Sequence, residues 1–449
     1  MKKTYILTIL TMLCLTALKA EINFTQHDLT SPVTIFYGLN ESHSKSWAQI
    51  TNDGLIGISY FKRSAGERYT GDLIYKSIQP DGTEKDEIVS TGNSLEVSVL
   101  VFDSQSKPHI FVASSDEVDQ TIVHFFKSSD IAWSSENIVH FNNEGGKYIY
   151  EMSAERGPDN LFHLLVLKTR SNPDSEDYYY AYKNAHLYHL NNDQNGNWQK
   201  ELIYNYDTVW TLDEYSKALN RQDMKVDKNG KIHVVFNKQI NSSSRLEYAT
   251  NKNGCWEIET AVNFSAGTRD DGGWFPSLAL DNEDQPYVSC VYVGRCSSGS
   301  ATYAKLLFVS RDENSWTQEI IAANDDGYYG SDGRNYTGAL SHLVFDKNNQ
   351  PHIVFSDIAS SHSAMNYWNL GNIRYAVKEN DNWMISTIYE QPLPNGFFNA
   401  VEMYGMCLLI SDNVDKIRVS DSSLLLTAAL IILSLWFKKI LRTAVLQKS

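Results

Sequence analysis

Five side chains on what read as consecutive repeat units combine acid–base groups with a fixed cation. They are His163 and His186 in one unit, His233 and Arg245 in the next, and Tyr287 in the one after. Imidazole and phenol can exchange protons, whereas a guanidinium keeps its charge at every working pH. This set suits β-elimination from a uronic acid. The guanidinium would pair with the sugar carboxylate and stabilise the enolate-like charge that develops. A neutral His or Tyr would take the C5 proton, and a second would protonate the departing glycosidic oxygen. The scheme requires no metal or other cofactor, although a structural cation is compatible with it.

Other residues are candidates for holding substrate. Aligning the units on the tryptophan after the last turn gives one third-strand position per unit: Asp72, Ile122, His186, Arg245, Lys305, Asn372 and Lys416. His186, Arg245 and Lys305 fall on neighbouring units, so they should share one arc and form an anion site in an otherwise acidic chain. Arg221 adds a cation, and Tyr180 and Tyr182 stand in the insert 171–183, a long loop of the kind that carries sites. The first core position of the second strand reads His109, His163, His233, Tyr287 and His352. A structural explanation competes there: each ring could hydrogen-bond the backbone of a neighbouring blade as a satisfied core group.

The elements that must position these residues are strands. Lys231–Phe236, Arg245–Ala249 and the turn before Trp256 read as strand, loop, strand, tight turn, strand, and this phrase returns at propeller-like intervals. Apolar and polar residues alternate over five or six positions, the period of half-buried strands. Six such units follow one another, with Trp133, Trp198, Trp256, Trp316 and Trp383 after their last turns. A seventh, Asn399–Tyr404, Cys407–Ser411 and Lys416–Ser420, lacks a strand that Pro32–Tyr37 could supply. Closure by strands from both termini removes two exposed sheet edges. The expectation is an all-β, seven-bladed β-propeller over residues 21–421.

Composition narrows the partners. The formal net charge of −15 argues against nucleic acid, and an acidic polysaccharide needs cations gathered locally. Residues 1–20 have the charged start, apolar run and small final residue of a signal peptide. Residues 422–449 carry a second apolar run followed by Lys438, Lys439 and Arg442, which reads as a hydrophobic helix that anchors in a membrane or serves as a sorting tail. The reading is an exported monomer at the cell surface, in the periplasm or secreted. Cys290 and Cys296 could bridge in such a compartment, while Cys255 and Cys407 read as free buried thiols. No spacing suggests a zinc site.

The arrangement resembles propeller-fold polysaccharide lyases of the ulvan lyase type. These use paired histidines, a tyrosine and an arginine from adjacent blades, standing on second and third strands. The matching positions are His163 with His186, His233 with Arg245, and Tyr287. His233 departs from the pattern, where the resemblance implies a tyrosine base. The implied activity is cleavage of a uronate-containing, ulvan-like polysaccharide. Two alternatives stay open: a non-catalytic propeller that binds glycan or protein, and a sialidase-like hydrolase. The sialidase turn Ser-x-Asp-x-Gly-x-Thr-Trp survives only in degenerate form, as at Ser310–Trp316, but Arg221, Arg245, Arg295, Arg334 and Arg374 supply enough arginines for such a site.

Overall fold

A computed structural model describes residues 23–27, 47–63, 70–115, 120–129, 132–141, 148–169, 185–206, 222–240, 243–252, 254–264, 271–295, 302–312, 315–323, 334–360, 368–389, 406–410 and 416–421. Strand β1 is Asn23–His27. The first blade contains β2 (Trp47–Ile50), β3 (Ile56–Arg63), β4 (Thr70–Ile78) and the start of β5 (Glu84–Phe102). The 19-residue β5 then continues as the first strand of the second blade, followed by β6 (Pro108–Ser115), β7 (Gln120–Ser129) and β8 (Ala132–His140). The third blade is β9 (Tyr148–Arg156), β10 (Phe162–Thr169), β11 (Ala185–Asn192) and β12 (Trp198–Tyr206). The fourth is β13 (Gln222–Val226), β14 (Ile232–Ile240), β15 (Ser243–Lys252) and β16 (Cys255–Phe264). The fifth is β17 (Asp271–Leu280), β18 (Pro286–Arg295), β19 (Thr302–Arg311) and β20 (Trp316–Ala323). The sixth is β21 (Arg334–Phe345), β22 (Pro351–Ser360), β23 (Trp368–Glu379) and β24 (Asn382–Tyr389). Strands β25 (Met406–Ile410) and β26 (Lys416–Asp421) pair with each other.

Each blade is an antiparallel meander in chain order, and the repeated four-stranded sheets are those of a β-propeller. First strands of successive blades touch one another, and β25 touches both β21 and β2. Strand β1 pairs with β26 and runs parallel to it, so the N-terminal partner of the last sheet is Asn23–His27. The expected Pro32–Tyr37 and Asn399–Tyr404 lie outside the described residues, as do 1–20 and 422–449. Among the described residues no helix is long and apolar enough to cross a membrane.

Turn chemistry explains the repeat. Between first and second strands an aspartate caps the turn: Asp227 Oδ1 accepts from the backbone N–H of Asn229 and Lys231, both at 2.8 Å. Asp103, Asp281 and Asp346 do the same in their blades. The fourth turn residue takes positive φ, at Ser106 (59°), Gly230 (79°), Asp284 (62°) and Asn349 (64°), which is why small or Asx residues recur there.

The core lies between blades. Leu165, Leu167 and Leu187 pack against Val234, Phe236 and Ala249 of the next blade, and Val235, Leu246 and Tyr248 pack against Leu278, Val288 and Cys290 of the one after. The turn tryptophans clamp the outer edge. Trp133, Trp256 and Trp316 donate Nε1–H to Glu87, Glu201 and Glu259 of the preceding blade, at 3.2, 3.2 and 3.0 Å. At the inner edge, Leu278 N–H donates to Asp223 Oδ2 (2.8 Å) and Leu343 N–H to Ser277 Oγ (3.1 Å). Cys290 is a free, fully buried thiol that belongs to this core, and burial pushes its pKa up to about 12. Its side chain packs inside the sheet rather than toward a strand-end bridge, and Cys296 lies outside the described residues. Cys255 is free but exposed, correcting its expected burial: it opens β16 directly after the turn.

Candidate functional site

The pairing register divides the five expected catalytic residues between two rims. His163 opens β10 and faces Asn191, whereas His186 opens β11 and faces Lys168. His233 opens β14 and faces Thr250, whereas Arg245 lies opposite Lys238. Tyr287 opens β18 and faces Ser310, whereas Lys305 lies opposite Tyr292. In each blade the two positions are five residues apart along the second strand, about 17 Å at the rise of an extended chain. The expected convergence of His163, His186, His233, Arg245 and Tyr287 on one cleft is therefore not found. The reason is geometric: in a hairpin the start of one strand meets the end of its partner.

His163, His233 and Tyr287 lie on the tight-turn rim and hydrogen-bond to side chains of their own blades. His233 is 2% exposed; its Nδ1 lies 2.5 Å from the Tyr248 hydroxyl and its Nε2 3.5 Å from Asp227 Oδ2. An Nε2–H directed at Asp227 leaves Nδ1 to accept the Tyr248 O–H. Burial pushes this imidazole down to about 4 and holds the Tyr248 phenol above its usual range. Tyr287 directs its hydroxyl at Asp281 (3.4 Å), and burial followed by the nearby carboxylate raises its pKa. His163 Nδ1 is 3.0 Å from His189 Nε2; burial lowers both, His189 to about 3. In this blade Gly157 occupies the position of the turn aspartate, and a Cβ there would fall 3.0 Å from His163 Nε2 and 2.5 Å from Asp159 Oδ1. His109 and His352 repeat the plan with Asp103 and Asp346, each at 3.6 Å. The partners are side chains of the same blade, not the neighbouring backbone anticipated from the recurrence.

The opposite rim gathers basic side chains. His186, Arg245 and Lys305 are all half-buried there, and across the hairpin they face Lys168, Lys238 and Tyr292. In the second blade the same level is held by Thr121 opposite Ser114, so Thr121 rather than Ile122 is the equivalent residue. Strands β10 and β12 end and β11 and β13 begin at this rim; Tyr180, Tyr182 and Arg221, in the intervening 170–184 and 207–221, lie outside the described residues.

Between the third and fourth blades Tyr204, Tyr206, Lys238 and Arg245 are all half-buried. Lys238 Nζ stands 4.8 Å from the centre of the Tyr204 ring, and Tyr204 and Tyr206 meet edge to face at 4.9 Å. Tyr206 donates its hydroxyl to Asn237 O (3.3 Å), and Arg245 Nε–H donates to Asn263 Oδ1 (3.4 Å). Lys238 and Arg245 are direct cross-strand neighbours, and neither makes an ion pair with a described residue. Like charges placed opposite each other destabilise a sheet, so a protein of net charge −15 keeps them at a cost unless an anion joins them. Tyr204, Tyr206, Lys238 and Asn263 were not singled out from sequence. The usable signals were the fifth residue after each second-strand histidine and the last aromatic of the outer strand. Among the described residues, no group of three or more His, Cys, Asp or Glu could hold a metal ion.

No protein-family model and no curated protein matches this chain. Solved structures do. One is described as a new family of polysaccharide lyase, an ulvan lyase, at 10% identity, covering 78% of this chain and 78% of that one, with a TM-score of 0.46. The polysaccharide lyase Uly1 matches at 7% identity over 87% of this chain and 91% of that one, with a TM-score of 0.48. An α-L-arabinofuranosidase from Fusarium graminearum, with an iminosugar inhibitor, matches at 11% identity over 84% and 88%, with a TM-score of 0.39. Likeness of this degree fixes neither substrate nor reaction.

Proposed function

We propose that this protein is a carbohydrate-active propeller of seven blades, with β25, β26 and β1 forming the seventh, that binds an acidic, uronate-bearing polysaccharide. The ligand sits on the rim of Arg245. The observation that carries this reading is the facing pair Lys238–Arg245, which makes no ion pair with a described residue, beside Tyr204 and Tyr206. The guanidinium can hold a carboxylate through two hydrogen bonds, the ammonium adds a second charge, and the tyrosine faces accept the apolar side of a sugar ring. Lys305 extends the positive arc, His186 adds an imidazole to it, and Tyr180, Tyr182 and Arg221 are proposed as further substrate contacts. The apolar runs at 1–20 and 422–449 favour an exported protein held at a membrane.

A second reading, cleavage by β-elimination, is favoured by one placement: His186 stands at the level of Arg245 on the adjacent blade. There Arg245 would neutralise the carboxylate and His186 would take the C5 proton. His163, His233 and Tyr287 have no part in that scheme.

The test measures binding and product in parallel on a panel of acidic polysaccharides. Wild type is expected to bind at least one member, and Arg245→Ala to abolish binding. Ultraviolet absorbance of a new conjugated double bond decides between binding alone and elimination. Undiminished binding by Arg245→Ala would overturn the assignment of this rim.

A further inference from the structure

Three clefts between blades are built on one plan at this rim. Each takes an aromatic residue from the end of one blade's outer strand, and a facing pair from the second and third strands of the next blade. In the first cleft Phe141 meets Lys168 and His186, with Lys168 Nζ 4.7 Å from the ring centre and donating to Phe141 O (3.2 Å). Here Phe141 and Lys168 are buried, at 1% and 0% exposed, and only His186 is half-buried. In the second, Tyr206 donates its hydroxyl to Asn237 O, and the next residue, Lys238, lies over the Tyr204 ring and faces Arg245. In the third, Phe264 stacks on Tyr292 at 5.8 Å, beside Lys305. In the second and third, Lys238, Arg245 and Lys305 are half-buried, on adjacent blades, at one level.

We infer that the ligand runs around the rim across these two clefts, so that one acidic group lies at Lys238 and Arg245 while another lies at Lys305. This rests on the reading of the ligand as an acidic glycan and adds its minimum size: an oligosaccharide with at least two acidic sugars, not a single uronate. Facing sheets pack about 10 Å apart, so equivalent positions on neighbouring blades are separated by a span that one sugar carboxylate cannot bridge. Tying two weak contacts to one chain makes the second intramolecular, and affinity then rises with ligand length once both clefts are reached.

The experiment titrates the full chain with uronic acids and their trimers and hexamers, prepared from galacturonate, glucuronate and mannuronate backbones. The expected result is an affinity for the best hexamer at least tenfold above that for its monomer. Lys305→Met should lose about tenfold on the hexamer, equivalent to about 1.4 kcal/mol, and nothing on the monomer. Arg245→Gln should lose both. Lys228→Met, on the tight-turn rim, should leave the hexamer affinity unchanged. Equal affinity of wild type for monomer and hexamer would overturn the inference while leaving the acidic-glycan reading intact, and it needs no variant to fold. Loss by Lys305→Met on both lengths, or an equal loss by Lys228→Met, would also overturn it. Failure of every acidic oligomer to bind would remove the underlying reading and the inference together.

Discussion

His233→Phe separates the tight-turn rim from the rim proposed to bind glycan. The phenyl ring keeps much of the imidazole's volume but removes the histidine partner of the Tyr248 hydroxyl and of Asp227 Oδ2, which now lie 2.5 and 3.5 Å from its nitrogens. Leaving such buried groups unpartnered costs about 1–3 kcal/mol at pH 7.5. Acid reverses the comparison. Burial holds the folded imidazole at about 4, against an ordinary value of about 6.5. Above pH 6.5 both folded and unfolded states are neutral and the histidine adds no pH dependence. As pH falls from 6.5 toward 4, the unfolded chain binds a proton that the folded one refuses. Wild type therefore loses about 3 kcal/mol through this residue. The variant has no such proton, so its deficit should shrink on acidification and vanish or invert near pH 4. Urea unfolding of both proteins between pH 7.5 and 4, with glycan binding measured at pH 7.5, gives both quantities. A parallel loss of stability in the two proteins, or loss of binding by a variant that is still folded, would refute the structural role of His233.

Two further substitutions address stability. Lys238→Met relieves the cross-strand repulsion with Arg245 and should stabilise the free protein by about 0.2–1 kcal/mol while weakening acidic glycan; a destabilised variant in thermal melts would contradict the like-charge argument. Gly157→Ala places a methyl 2.5 Å from Asp159 Oδ1 and 3.0 Å from His163 Nε2, so it should cost about 1–3 kcal/mol without changing glycan affinity; a neutral effect on the melting temperature would show that these side chains move aside freely.

Much of the fold was legible because its signals are local. Asp227 followed by Gly230 marks the first turn, Trp256 marks the outer strand, and strand alternation marks the faces between them. The cationic arc was legible as well, since His186, Arg245 and Lys305 occupy equivalent third-strand positions. What failed was the step from strand to rim. His233 and Arg245 are close in sequence, yet antiparallel pairing puts them at opposite ends of one hairpin, with Thr250 and Lys238 as their partners. The long β5 was not legible either: the first blade has no turn tryptophan to mark its outer strand, and β5 crosses from one blade to the next without a break. The aromatic residues of the clefts stayed hidden because Tyr206 and Phe264 acquire meaning only against the neighbouring blade.

The most direct measurement is amide hydrogen exchange with and without a bound acidic oligosaccharide. Protection is predicted at 204–206, 238–246 and 263–264, around Tyr206, Lys238 and Arg245, with none added at 227–233 or 281–287. Protection confined to those turns, beside His233 and Tyr287, would contradict the placement of the site.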